Sequence, residues 1–440
     1  MNNKERYIAA LEISSSKVIG AVGVVGRSGQ LQIIAVEKEH STDTVRYGQI
    51  QNAEETSKLA GYVLDRLERR PGITPREITG VYVGLSGRSL RSIPIDVSLN
   101  LPDETEITDE IVERLKKKAL DADIDNSLEI IDAVPRIFKI GKDETHRPVG
   151  MNGSGISATY DIIVARPAIQ SNLRRVLKDK LNLDIKGIVV TPLATGYIAL
   201  TEQEKKLGCM LVDLGAETTT VTIYSRGNLV YFATLPLGGR NITRDLMSLQ
   251  ELEETAEDFK INFGNAIAPS SPSMANVGRH KQSDISNIVV PRAEEIVANI
   301  VEQVRYAGLT EKDIPEGIVL CGGGARLNGI MELIGKLSGV KVRMAMLPSY
   351  IRMDDPAGNG METLQLSAIL YTGSEKDDEE CLQMPEPAEP EPEPEKPAVN
   401  PAPASDTGKK QKGSFFNRIG RTLGGFFTPI GEDDEGEELN

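Results

Sequence analysis

Two apolar runs, each broken once by a short polar turn, set the pattern of this chain. Residues 7–13 read as one strand, Ser14, Ser15, Ser16 and Lys17 make a turn, and residues 18–25 return as a second strand. Residues 209–224 repeat the arrangement: 210–214 is a buried strand, 215–217 a tight turn, and 218–224 a strand rich in β-branched residues. Between and beyond these blocks the pattern predicts further elements. Asn52 with Glu55 forms a capping box that opens a helix with Ala60, Val63, Leu64 and Leu67 on one side, and Pro71-Gly72 ends it. Residues 78–85 are a strand. From 86 to 165 the texture changes to strands 93–101 and 133–140, a helix at 109–120 and a glycine-rich run at 147–153, which together read as an inserted subdomain.

A helix at 169–181 and a strand at 185–190 lead to Thr191-Pro192-Leu193-Ala194-Thr195-Gly196, the start of a helix whose small residues suit a crossing between two domains. After strand 229–235, Gly238 and Gly239 precede a helix running to Leu246. The helix at 252–264 sets Glu257 and Lys260 three residues apart on one face. Residues 269–286 read as loop and 292–307 as helix. Strand 317–320 opens into Gly322, Gly323 and Gly324 ahead of Arg326, and a helix at 362–370 closes the folded part.

Residues 374–412 alternate Pro and Glu and are expected to form an extended, solvated linker. Beyond it, Phe415, Phe416, Ile419, Leu423, Phe426, Phe427 and Ile430 recur at helical spacing, with Asn417, Arg418, Arg421 and Thr422 on the other side. Four of the eight phenylalanines lie in this stretch, behind a linker where no core exists to receive them. The expectation is an amphipathic helix at 413–430 lying in a membrane interface, its arginines on anionic headgroups; the alternative is a helix docked in a partner's groove. Gly420, Gly424 and Gly425 weaken it in water, so it folds on binding. The acidic end, 431–440, opposes anionic lipid, and avidity from polymerisation offsets that.

Composition narrows the class. A chain of 440 residues builds two or three domains. Of the net charge of −15, the stretch from Ser374 onward carries −10, leaving about −5 on the folded part, which argues against nucleic acid as the main partner. Cys209, Cys321 and Cys381 are irregularly spaced and fit a reducing cytosol better than a disulfide framework or a zinc site. No apolar run is long enough to span a membrane, and residues 1–6 are polar, unlike a signal peptide. His40, His146 and His280 match no ligand spacing.

The turns carry the candidate chemistry. Gly215 lets the backbone approach a phosphate closely, successive N–H groups with the Thr218 and Thr219 hydroxyls cradle oxygens, and Asp213 holds a hydrated Mg²⁺. Taken alone, this stretch reads equally well as an ordinary hairpin. Paired with the turn after Glu12 and the glycine triplet after a strand, it points to a nucleotide clamped between two similar domains.

At this point the chain resembles the actin, sugar kinase and heat-shock ATPase superfamily. Within it, the chain closely resembles the FtsA family of bacterial division proteins. That likeness rests on Val81-Tyr82-Val83-Gly84-Leu85-Ser86-Gly87, Pro148-Val149-Gly150-Met151-Asn152-Gly153, and residues 237–246, 256–264 and 292–296. It implies an α/β, actin-like two-domain ATPase fold with an inserted FtsA-type subdomain. The first lobe would comprise 1–85 and 166–200 around an insert at 86–165. The second would comprise 201–240, 241–307 and 308–350, with a return helix at 351–373. It implies ATP and Mg²⁺ held by Glu12, Ser14, Ser15, Ser16, Lys17, Asp213, Gly215, Ala216, Glu217, Thr218, Thr219, Gly238 and Gly239. Glu257 and Lys260 would bracket the ribose and adenine, and Gly322, Gly323, Gly324 and Arg326 would pass under the adenosine. An exposed helix ion pair is the plainer reading of Glu257 and Lys260.

The resemblance further implies a scaffold that polymerises with itself and tethers FtsZ filaments to the inner face of the cytoplasmic membrane. The FtsZ C-terminal peptide would dock on 241–307, with Asn241, Arg244 and Arg292 as contacts, and other divisome proteins would be recruited. Two departures bear on turnover. Glu12 and Ser14 stand where the family's first loop reads Asp-x-Gly, and Thr191 stands where its crossing helix carries a glutamate, so ATP is expected to be held firmly and hydrolysed slowly. A small-molecule kinase or chaperone-type ATPase of the same fold is the alternative, as is an adaptor of a pilus or secretion machine.

Overall fold

The computed structural model describes residues 5–26, 29–268, 270–271, 275–358, 360–376 and 380–385; the helix expected at 413–430 and most of the linker lie outside them. In chain order the main elements begin with β1 (Arg6–Ile13), β2 (Lys17–Val25), β3 (Leu31–His40), α1 (Ala53–Glu68), β4 (Glu77–Ile78) and β5 (Gly80–Leu85). There follow β6 (Arg91–Glu106), α2 (Asp109–Leu120), β7 (Glu129–Ile140), β8 (Asn152–Ala165), α3 (Ala168–Arg174), β9 (Asp184–Val190), α4 (Thr191–Ala199) and α5 (Glu202–Leu207). The second half holds β10 (Cys209–Leu214), β11 (Thr219–Ser225), β12 (Asn228–Leu235), α6 (Gly239–Leu246), α7 (Glu253–Phe263) and α8 (Gln282–Tyr306). It closes with β13 (Ile318–Cys321), α9 (Ile330–Ser338), β14 (Val342–Met344), β15 (Ile351–Met353), α10 (Leu364–Ser374) and β16 (Leu382–Gln383).

The two halves repeat one topology. In the first, the sheet order is β9-β5-β1-β2-β3, with β1 antiparallel to β2 and parallel to β5. In the second it is β14-β13-β10-β11-β12, with β10 antiparallel to β11 and parallel to β13. β1 and β2 are buried along most of their length on both faces, one of them under α1: Val63 and Leu67 of α1 lie so close to Gly20 that a Cβ there would sit 2.8 Å from the valine methyl. Glu12 pairs with Ile19 and Asp213 with Thr220, one residue before the end of each first strand.

Each lobe covers its meander edge differently. β15 adds to β3, whereas β12 meets β6 of the insert at a single pair, Ala233 with Arg91. The insert is a β7-β8-β6 sheet with α2 packed on it around Ile111, Leu115, Phe138 and Tyr160. Its strands run further than the expected 93–101 and 133–140, and β8 emerges from the glycine-rich run, where Gly153 and Gly155 bracket a bulge. α4 and α10 pack against each other at the junction of the halves. Gly84 faces Thr191 and Ile369, and Gly196 touches the Tyr224 hydroxyl of β11, so the small residues do allow close crossing.

Two further boundaries differ from the sequence expectation. The stretch read as loop to 286 contains a short hairpin, Asn276–Val277 with His280–Lys281, and α8 then begins at Gln282, ten residues before Arg292. Polar residues Ser283, Asp284 and Ser286 occupy its first turns, and Pro291 sits inside the helix. The linker begins later than Ser374. Cys381 and Leu382 are buried, the Cys381 amide donates to the Tyr7 carbonyl at 3.0 Å, and Leu382 pairs with Ile78 on β4. A chain ended at Gly373 is therefore expected to be about 2–3 kcal/mol less stable than one ended at Pro385, from the lost burial of Leu382 and Cys381. Urea midpoints at equal m-value would check this.

Candidate functional site

The two β-turns that the strand pattern placed opposite each other have the same geometry. The Ser14 amide donates to the Lys17 carbonyl and the Gly215 amide to the Thr218 carbonyl, both at 2.9 Å. At the base of these turns sit Glu12, which is buried, and Asp213, which is half-buried. Burial pushes the Glu12 carboxyl up to about 7, opposed by Lys17 and reinforced by the charge of Asp213; Asp213 is raised too, again chiefly by burial. Glu12 Oε2 is enclosed and has no hydrogen-bond partner. A buried carboxylate oxygen without a donor, beside a second carboxylate, is a hard-oxygen pair that suits a hydrated divalent cation shared with phosphate. Asp213 accepts a hydrogen bond from Gln365 of α10 at 3.0 Å, and Lys17 Nζ donates to the Glu362 carbonyl at 3.1 Å.

Glycine is required where the glycine-rich segments close on these turns. Gly322 has φ +89, and a Cβ there would lie 2.5 Å from Asp213 Oδ1. A Cβ on Gly238 would lie 2.5 Å from the Ala216 carbonyl, while the amides of Gly239 and Arg240 donate to the Gly215 and Ala216 carbonyls. Gly323 faces open space. Lys260 joins this corner: its ammonium donates to the Gly239 carbonyl at 3.2 Å, to Thr243 at 2.9 Å and to Glu257 at 2.6 Å, and burial holds its pKa below the usual lysine value. Glu257 and Lys260 therefore form a partly buried pair beside Gly239 rather than a free surface bridge.

Other expected residues are occupied differently. Glu217 is fully buried and turned to the first lobe, where it accepts the Tyr47 amide at 2.7 Å, and it also binds Arg244. The Ser15 hydroxyl accepts the Gly48 amide and its carbonyl accepts Arg240, each at 3.0 Å; Ser14 bonds the Lys17 carbonyl, and the Ser16 carbonyl accepts the Ser41 amide. Thr219 donates to the Leu237 carbonyl at 2.7 Å. Arg326 pairs with Glu362 outside the turns. Asn241 caps α6 by accepting the Gly238 amide, and Arg292 chelates Asp245 and binds Glu295. Thr191 is buried with its hydroxyl unpartnered, at the start of α4 against Gly84. Sequence reasoning missed Gln365, Glu362, Arg240 and the Tyr47–Gly48 turn; only Arg240, adjacent to Gly239, had a local signal.

Comparison with known proteins fits this geometry. The family model described as Cell division protein FtsA matches residues 210–357, and one described as an SHS2 domain inserted in FTSA matches 87–164. The Cell division protein FtsA of Bacillus subtilis is 31% identical over 369 residues, covering 81% of this chain and 82% of the relative. The chain belongs to the FtsA family. The Cell division protein FtsA of Porphyromonas gingivalis is 29% identical over 364 residues, covering 80% of this chain and 74% of that protein. Among solved structures, the PilM-PilN type IV pilus biogenesis complex superposes with a TM-score of 0.62 at 17% identity, covering 84% of this chain and 99% of that one. The fold is thus the actin-like ATPase fold, and the insert at β6–β8 is the SHS2 domain of the family. A role in cell division follows from the family. No helix among the described residues is long and apolar enough to cross a membrane.

Proposed function

We propose that this FtsA-family chain clamps ATP with Mg²⁺ between its two halves, polymerises with copies of itself, and tethers FtsZ filaments to the inner face of the cytoplasmic membrane during division. The observation that carries the nucleotide part is the pair of matched turns with Glu12 and Asp213 beneath them, one carboxylate oxygen lacking any protein partner. When bound, the cation would supply charge neutralisation for the phosphates, with Glu12 and Asp213 as its protein anchors. Lys17 would meet phosphate charge, and Gly323, which faces open space, would leave the backbone bare for the nucleoside. Thr191, an alcohol where a carboxylate would orient water, supports slow turnover and a structural use of ATP.

The membrane part rests on the spacing of Phe415, Phe416, Ile419, Leu423, Phe426, Phe427 and Ile430 around Arg418 and Arg421. For the FtsZ peptide, α6 and α8 remain the candidate surface. Arg292 is held there by Asp245 and Glu295, and an acidic peptide would exchange with them for it. Asn241 and Arg244 would contribute only by leaving their present partners, Gly238 and Glu217. The test is flotation of labelled FtsZ with anionic liposomes and ATP, using the full chain and a chain ended at Lys412 that keeps the β16 strap. FtsZ is expected at the membrane only with the full chain. Recruitment by the shorter chain would move the anchor elsewhere, and recruitment by neither would defeat the tethering reading.

A further inference from the structure

The turn between Thr44 and Gln49 touches three separate parts of the molecule within two residues. The Tyr47 amide donates to Glu217 of the second-lobe turn at 2.7 Å, and the Gly48 amide donates to the Ser15 hydroxyl of the first-lobe turn at 3.0 Å. The Tyr47 carbonyl accepts the Arg88 amide at 3.1 Å, at the base of the SHS2 insert, and the Arg88 guanidinium lies 5.2 Å from the Tyr47 ring centre. The backbone here has no slack. Tyr47 holds φ +50, unusual for a non-glycine residue, and Gly48 holds φ +72 with its α-face so close to Gly87 that a Cβ would lie 2.6 Å from the Gly87 Cα. Glu217 is itself fixed: its buried carboxylate binds Arg244, and Arg240 stands 3.7 Å away while reaching the Ser15 carbonyl.

We propose that Glu217 is a positioning residue, an interlobe latch through which the closure of the nucleotide site is passed, by the Tyr47–Gly48 turn, to the base of the SHS2 insert. The proposal rests on the nucleotide reading above. Glu217 lies in the same tight turn as Gly215 and Thr218, so a phosphate ordering that turn also fixes the carboxylate. The carboxylate holds Tyr47, the Tyr47 carbonyl holds the Arg88 amide, and Gly48 abuts Gly87 without room for a methyl group. A displacement of the second-lobe turn relative to the first therefore displaces the insert base or breaks the Tyr47 bond. While that bond holds, the insert responds to the state of a site it does not line. A merely local brace would stiffen the cleft with no nucleotide-dependent change at 86–92.

The test is amide exchange by mass spectrometry on the full chain, with and without ATP and Mg²⁺, after titration has fixed an ATP concentration that saturates each protein. In the native chain ATP is expected to slow exchange on the order of tenfold both at 44–51 and at 86–92. In Glu217→Gln, which keeps the shape and loses the charge, ATP is expected to slow 213–219 but not 86–92. Gly48→Ala forces the turn off Gly87 from the other end and is expected to lose the same response, which keeps the test decisive should either variant melt early. Slowing at 86–92 that persists in a folded, ATP-saturated variant overturns the latch, as does a native chain that binds ATP without changing there. A native chain that takes up no ATP removes the nucleotide reading itself, and the titration reveals that before any exchange is measured.

Discussion

Arg136→Ala is expected to cost about 3–5 kcal/mol at pH 8, because it strands a buried carboxylate at the joint between the insert and the second lobe. Arg136 on β7 grips Asp161 of β8 through two nitrogens, Nε at 2.8 Å and Nη2 at 2.5 Å, and Asp161 has no exposed surface. The same Nη2 donates to the Val230 carbonyl of β12 at 3.0 Å, so one guanidinium staples the insert sheet to the lobe sheet beside their single shared pair, Ala233 with Arg91. Burial already holds the Asp161 pKa above the ordinary aspartate value despite Arg136. Removing the arginine raises it further, so the folded variant takes up a proton and the loss is smaller in acid: the penalty at pH 5.5 is expected to be less than at pH 8. Arg136→Met keeps the stem and loses the charge, and is expected to follow Arg136→Ala in its pH dependence. Denaturant unfolding of both variants at the two pH values measures this; equal losses at both would show that Asp161 does not titrate with the joint.

What the sequence made legible, and what it did not, follows from how far each contact reaches along the chain. Both hairpin turns were readable because β-branched strands and the small or hydroxyl residues of a turn are local signals. The glycine triplet was readable for the same reason, and the structure explains it: at Gly322 a side chain would enter the Asp213 carboxylate. The partners that finish the site come from far away. Gln365 reaches Asp213 across 152 residues and the Glu362 carbonyl reaches Lys17 across 345, so no window of the sequence contains either pair. Glu217 illustrates a subtler limit. Its place in a phosphate-type turn made it a candidate ligand, but which way a turn carboxylate points depends on Arg244 and on the Tyr47 amide of the other lobe. α8 was cut short because Pro291 and the polar first turns mimic a loop, whereas Ile285, Val289 and Ala293 on its buried face carry the helix through the proline. The β16 strap escaped because two apolar residues among acidic ones carry no periodicity; only pairing with Ile78 gives them a place.

The folded protein without nucleotide is expected to lose stability as pH rises from 5 to 8, and Glu12→Gln is expected to remove most of that loss. Burial lifts the Glu12 pKa from 4.5 to about 7, so the native state holds this proton more tightly than the unfolded chain. Its stabilising effect is complete below about pH 4.5 and disappears as pH climbs through 7, which amounts to roughly 3 kcal/mol by pH 8 if other groups are unchanged. Asp213, raised in the same direction, leaves the Gln variant a residual slope. An amide in place of a carboxylate cannot charge, so Glu12→Gln is expected to be the more stable protein at pH 8 and to match the native chain near pH 5. Mg²⁺ with ATP reverses the order: a cation beside Glu12 favours its charged form, so the native chain is expected to gain stability at pH 8 and Glu12→Gln to gain distinctly less. Denaturant midpoints across pH 5–8, with and without Mg²⁺ and ATP, measure both halves. A native chain with a flat profile would place Glu12 in contact with water, and an equal gain from Mg²⁺ and ATP in both proteins would place the cation away from it.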